Sequence, residues 1–161
     1  MKRNISRTTL AMIFLTMLYV GLAPAARAQD EPGCSNASAA GKWGFTTNGT
    51  VVGIGPRDSL GIFTLDGAGN LLKGKATSSL NGSVTDETFS GTYSVNPDCT
   101  GKLAIQIFDL SGNKILTATL NLVFDTNVRE LRAIFTSAVL PNGTPLGTVI
   151  TVQAKRLFSD R

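Results

Sequence analysis

Beyond residue 28 the chain is written in short runs of alternating side chains. Phe89, Gly91, Tyr93 and Val95 fall on one parity, and Thr88, Ser90, Thr92 and Ser94 on the other. Leu116, Ala118, Leu120, Leu122 and Phe124 share a parity, as do Ile150, Val152, Ala154 and Arg156. A period of two with one apolar side marks a strand half buried on a sheet. Eight such runs, rich in Val, Ile, Thr and Phe, occupy 42–47, 59–66, 71–80, 85–95, 102–109, 114–125, 128–140 and 148–157. No stretch after residue 28 carries helix signals. The runs are separated by turn chemistry, as in Asp66-Gly67-Ala68-Gly69-Asn70, Asn81-Gly82, Asn96-Pro97-Asp98, Ser111-Gly112-Asn113 and Asn142-Gly143. Connections this short pair neighbouring strands antiparallel, as a meander.

Closure follows from Gly-x-aromatic triplets at Gly41-Lys42-Trp43, Gly61-Ile62-Phe63 and Gly91-Thr92-Tyr93. A glycine beside a ring lets a sheet bend sharply while the ring covers the gap. The pattern predicts an all-β, eight-stranded antiparallel up-and-down barrel, with a two-sheet sandwich as the alternative. In the barrel, the start of the first strand, the turn after the fourth and the end of the eighth lie at one end. Cys34 then meets Cys99, and Arg156 comes within reach of Trp43, the only tryptophan. A sandwich would separate these four residues. A disulfide closing so long a loop stabilises by about 4 kcal/mol in the chain-entropy model. A redox or metal pair finds no support, because there is neither Cys-x-x-Cys spacing nor any histidine.

Gly41-Lys42-Trp43 on the first strand, with Arg156 from the last strand packed across the indole, resembles the calycin barrels (lipocalins and avidins). The resemblance implies a structural role for Trp43 and Arg156 in closing the barrel floor. Two departures qualify it. The avidin biotin site uses several tryptophans, and the lipocalin Thr-Asp-Tyr motif is replaced here by Asp125-Thr126-Asn127. The stretch 90–101, "SGTYSVNPDCTG", is similar to stretches in many bacterial secreted proteins, a likeness that brings no function. Allene-oxide-cyclase and dirigent barrels are similar in shape only.

The first 28 residues read as a secretory signal peptide: Lys2, Arg3 and Arg7, an apolar run over 10–22, then Ala26-Arg27-Ala28. The apolar run falls short of the roughly 20 residues a bilayer span needs. A segment over 29–41 then carries the first cysteine, and 42–161 form a single barrel domain. Export, to periplasm or medium, suits two paired cysteines. The leader also changes the charge argument. Of 15 Lys+Arg, four lie in it, leaving 11 against 11 Asp+Glu. The mature chain is formally neutral, which argues against nucleic acid or an anionic membrane as partner.

Absence of histidine removes the commonest general base and the usual metal ligands. No phosphate-binding or dinucleotide motif occurs, so neither a cofactor nor a metal is expected. Asp66, Asp98, Asp109 and Asp125 stand at turns, where such side chains bond their own backbone. A site, if present, belongs at the end opposite Trp43, where the loops are 48–58, 81–87, 110–114 and 141–147, the first long enough for a lid. Inward parity at that rim selects Arg57, Glu87 and Asp109. Beneath them it selects Leu72, Leu80, Phe89, Tyr93, Leu120 and Phe135, thinned by Gly74, Ala76, Ser78, Ala118, Ala133 and Ser137. Leu60, Ile62, Phe108, Ile115, Val123, Ile134 and Val149 would face outward and suggest wall contact with a second copy or a partner. The leading reading is a secreted, non-catalytic barrel binding a small apolar or amphipathic ligand. A packed interaction protein acting through its outer wall comes second. A cyclase-type enzyme using Glu87 or Arg57 comes third.

Overall fold

The computed structural model describes residues 33–157, so the leader lies outside the described residues. A one-turn helix, α1 (Asn36–Ala39), precedes eight strands. These are β1 (Gly41–Val51), β2 (Gly55–Leu65), β3 (Asn70–Leu80), β4 (Ser83–Val95), β5 (Thr100–Phe108), β6 (Lys114–Phe124), β7 (Glu130–Val139) and β8 (Thr148–Arg156). They pair antiparallel in chain order, and β8 returns to β1, closing an eight-stranded barrel. No sandwich forms. α1 lacks the length for helical periodicity. It exists because the Ser35 hydroxyl accepts from the Ser38 N–H while Ser38 caps the Ser35 N–H in return.

One turn design serves most hairpins. In each, a loop N–H returns to the first residue's carbonyl, and the next-to-last loop residue takes a left-handed backbone: Gly69, Cys99, Gly112, Val128 and Gly143. Cys99 tolerates this conformation as half of the Cys34–Cys99 disulfide. Val128 tolerates it as a buried member of the core.

Interior positions follow the predicted parity until a bulge intervenes. Between β3 and β4 the register slips at Leu71/Gly74, so Leu71 is buried and Leu72, expected inside, is 53% exposed. A slip between β6 and β7 skips Thr136, which puts Ala138 inside and leaves Ser137 outside. A third, at Ile107/Phe108, turns Ile115 from its expected outward position to pack against the core. Phe108 is half-buried. Leu60, Ile62, Val123, Ile134 and Val149 do face solvent. Leu60 and Ile62 share one face of β2. β7 and β8 pair only from Glu130↔Lys155 to Ile134↔Thr151. Beyond that, Pro145 bridges Val139 and the Leu146 N–H bonds the Ala138 carbonyl, so the connecting loop substitutes for the missing ladder.

Bending is achieved with rings lying over glycines from the neighbouring strand, not from the same strand as the triplets suggested. A Cβ on Gly74 would stand 2.2 Å from the Phe89 ring, and one on Gly61 would stand 2.8 Å from the Phe45 ring. Both glycines are register partners of those phenylalanines.

Candidate functional site

The two ends of the barrel differ. At the floor, Trp43 is fully buried and donates its Nε1–H to the Ala39 carbonyl at 3.0 Å. It stacks on Phe63 and meets Phe124 edge-on, and the Arg156 guanidinium lies 5.4 Å from the indole centroid. Arg156 also donates to the Ser38 and Ala40 carbonyls. The segment before β1 is thus laid across the floor and held by residues of both closing strands. Tyr93, expected in the cavity lining, belongs to this end. Its hydroxyl lies 2.8 Å from the Asn36 carbonyl and 2.6 Å from the Asp66 carbonyl, within donating reach of both. Burial, and then the nearby Asp66 carboxylate, push that hydroxyl up to about 12.

Above the floor, Phe45, Phe63 and Phe89 form an aromatic cluster with centroids 5.6–6.5 Å apart. Between this cluster and the open end lies a cavity of about 60 Å³, bounded by Phe89, Ile105, Leu120, Phe135 and Val152 among others. Its polar lining comes from Thr47, Arg57, Ser59 and Glu87. The Arg57 Nη2–H donates to Glu87 Oε2 at 2.9 Å and to Ser78 Oγ at 3.1 Å. The Ser78 hydroxyl donates to Glu87 Oε2 at 3.0 Å and lies 2.9 Å from Ser59 Oγ. Glu87 is buried to 7% exposure, so its ion pair with Arg57 is screened from water.

The structure brings together Arg57, Glu87, Phe89, Leu120 and Phe135 of the expected site. It does not bring Asp109 there. That carboxylate accepts from the Asn113 N–H and Nδ2–H and closes the β5–β6 turn, which lowers its pKa. Nor is 48–58 a lid. β1 and β2 pair without a break to Val51↔Gly55, leaving a three-residue turn over 52–54. Likewise 83–87 are strand. Thr47, Ser59 and Phe45 lie within the predicted runs 42–47 and 59–66 but were not selected, because Thr47 and Ser59 are small polar residues at the run ends and give no apolar signal of facing inward. Carrying the Trp43–Phe45 parity upward reaches Thr47, and carrying the Phe63–Leu65 parity downward reaches Ser59.

No protein-family model matches the chain, and no curated protein is significantly similar to it in sequence. Among solved structures, the chain is similar to EF1p2_mFAP2b bound to DFHBI, with 13% identity, a TM-score of 0.53, and coverage of 74% of this chain and 94% of that one. It is also similar to a redesigned β-barrel, mFAP1, bound to DFHBI, with 15% identity, a TM-score of 0.50, and coverage of 75% and 97%. Likeness at this identity shows the shared barrel fold.

Proposed function

We propose that this chain is an exported, non-catalytic barrel of calycin type that binds a small apolar or amphipathic molecule in its interior. One observation carries the reading: an apolar cavity under the open end, with a buried and internally neutralised Arg57–Glu87 pair beside it. A concave apolar wall with a few convergent polar groups is the usual form of a small-molecule site. The similar barrels mFAP1 and EF1p2_mFAP2b hold a small molecule, DFHBI. Export is supported by the Cys34–Cys99 disulfide and by the leader read from the sequence. Among the described residues no helix is long and apolar enough to cross a membrane. A catalytic role is disfavoured because Glu87 already accepts from both Arg57 and Ser78, which leaves it poorly placed to take a substrate proton.

Size sets the terms. An engineered cavity of about 150 Å³ holds benzene, so 60 Å³ accommodates only part of such a molecule. A ligand must be very small, must protrude through the open end, or must displace the half-buried Phe135 ring. That same small volume favours the second reading, a packed barrel working through its outer wall, where Leu60 and Ile62 adjoin on β2. Native mass spectrometry of the exported, disulfide-bonded protein, purified without detergent, separates the two. Excess mass that leaves on denaturation supports the binding barrel. A bare mass, together with no thermal shift across a panel of small apolar and amphipathic compounds, moves the reading to the packed one.

A further inference from the structure

Interior polarity is divided between the two halves of the barrel wall. On β1–β4 the cavity wall carries the polar side chains of Thr47, Arg57, Ser59 and Glu87, with Ser78 bonded among the last three. On β5–β8 the facing positions are apolar, among them Ile105, Ile107, Leu120, Phe135 and Val152. A molecule seated between them meets hydrogen-bonding groups along one edge only.

Proton accounting says which groups remain available. Glu87 can only accept, so the single Ser78 proton goes to Oε2. Ser78 must then accept from Ser59, and the Ser59 proton is used as well. Every proton in this chain points toward Glu87, and Arg57 joins it from the other side. What stays open is a lone pair on Ser59 Oγ. Its register partner on β1 is Thr47, also a residue of the cavity wall, whose buried Oγ1 has no hydrogen-bond partner. A buried hydroxyl left unmatched is costly, and a structure that keeps one beside a cavity calls for a partner there.

Building on the binding reading above, we infer that the ligand's polar end is a neutral hydroxyl, which accepts from Thr47 Oγ1–H and donates to Ser59 Oγ. A hydroxyl is the smallest group that both donates and accepts at one atom. A carboxylate would have to share Arg57 with Glu87, placing like charges together in a low-dielectric interior. A pure hydrocarbon would leave Thr47 unmatched.

Phenol and toluene, which differ by OH against CH₃, test this. Amide and methyl chemical shifts of the labelled, disulfide-bonded protein are followed during titration with each. Phenol should bind about tenfold tighter than toluene, the worth of one well-made buried hydrogen bond. Thr47→Val, which keeps the shape, should remove that advantage while leaving toluene binding unchanged. Ser59→Ala should weaken phenol selectively too, and serves if Thr47→Val melts before the titration temperature. Toluene binding as tightly as phenol, or phenol affinity unmoved by either variant, would overturn the hydroxyl assignment and leave the binding barrel standing, whereas shifts mapping to the outer wall would overturn both. No binding of either compound would overturn both.

Discussion

Trp43 satisfies several physical demands from one position. Its ring fills the floor between Phe63 and Phe124, its N–H closes on Ala39, and its face supports Arg156. Truncation removes a fully buried aromatic and strands the Arg156 charge over a void. For Trp43→Ala we expect a loss of about 3–5 kcal/mol, seen as a fall in Tm on the order of 10–20 °C for a chain of this size. Trp43→Phe should lose much less, because it keeps the apolar ring and gives up only the Ala39 bond and some volume. Circular dichroism melts of the two variants check this, and an unchanged Tm for Trp43→Ala would remove the floor-closing role. This residue was legible from sequence because its neighbours announce it: Gly41 before it, Cys34 upstream, and Arg156 on matching parity. Thr47 was not. A lone threonine at the end of the predicted run 42–47 carries no apolar signal to mark it as facing inward.

Turns and bulges decide what could be read at the level of elements. Alternation located all eight strands, since each has one mainly apolar side wherever its ladder is regular. It misassigned Leu72, Ser137 and Ile115 for a single reason: one extra residue inverts the parity of everything beyond it, and bulges leave little trace in composition. The turns are more transparent. Asp66-Gly67-Ala68-Gly69-Asn70 and Asp109-Leu110-Ser111-Gly112-Asn113 share Asp, Gly and Asn at the same places, and in both the Asp carboxylate accepts from the closing Asn side chain and backbone. Those bonds from Asn70 and Asn113 hold Asp66 and Asp109 below the ordinary aspartate value of 3.8, as bonds from Thr100 hold Asp98. A pKa depressed by folding contributes stability that is present above 3.8 and is lost as pH falls through the folded value. Stability should therefore hold steady near neutrality and decline in acid below about pH 4. Asp66→Asn combined with Asp109→Asn should make that decline shallower, because two of the groups whose protonation drives it are gone while Asp98 and Asp125 remain. Urea melts across pH check the slope. An unchanged acid slope in the double variant would assign acid sensitivity to other groups.

For the whole molecule, closure depends on more than the eighth strand meeting the first. An up-and-down barrel removes its edges by pairing, but its ends stay open, and here one end is sealed by the segment around α1. That seal has covalent and non-covalent parts. Cys34–Cys99 ties it to the β4–β5 turn. The Asn36 side chain accepts from the Val95 N–H, the Asn36 carbonyl receives the Tyr93 hydroxyl, and the carbonyls of Ser38, Ala39 and Ala40 take Arg156 and Trp43. The disulfide spans 65 residues, so its loss should cost about 4 kcal/mol through the unfolded chain. The native seal, with its remaining bonds, should stay docked. Cys34→Ser with Cys99→Ser is therefore expected to lower the urea midpoint while native-state hydrogen exchange keeps the Trp43 indole N–H and the Val95 amide protected relative to exposed loops. Rapid exchange at both sites under native conditions would mean that the disulfide alone holds the floor. Cavity and seal lie on opposite sides of the aromatic cluster, so the double variant should also keep whatever preference the open end has for phenol. A floor built to be rigid leaves adaptation to the other end, where β7 and β8 part and Phe135 is only half covered.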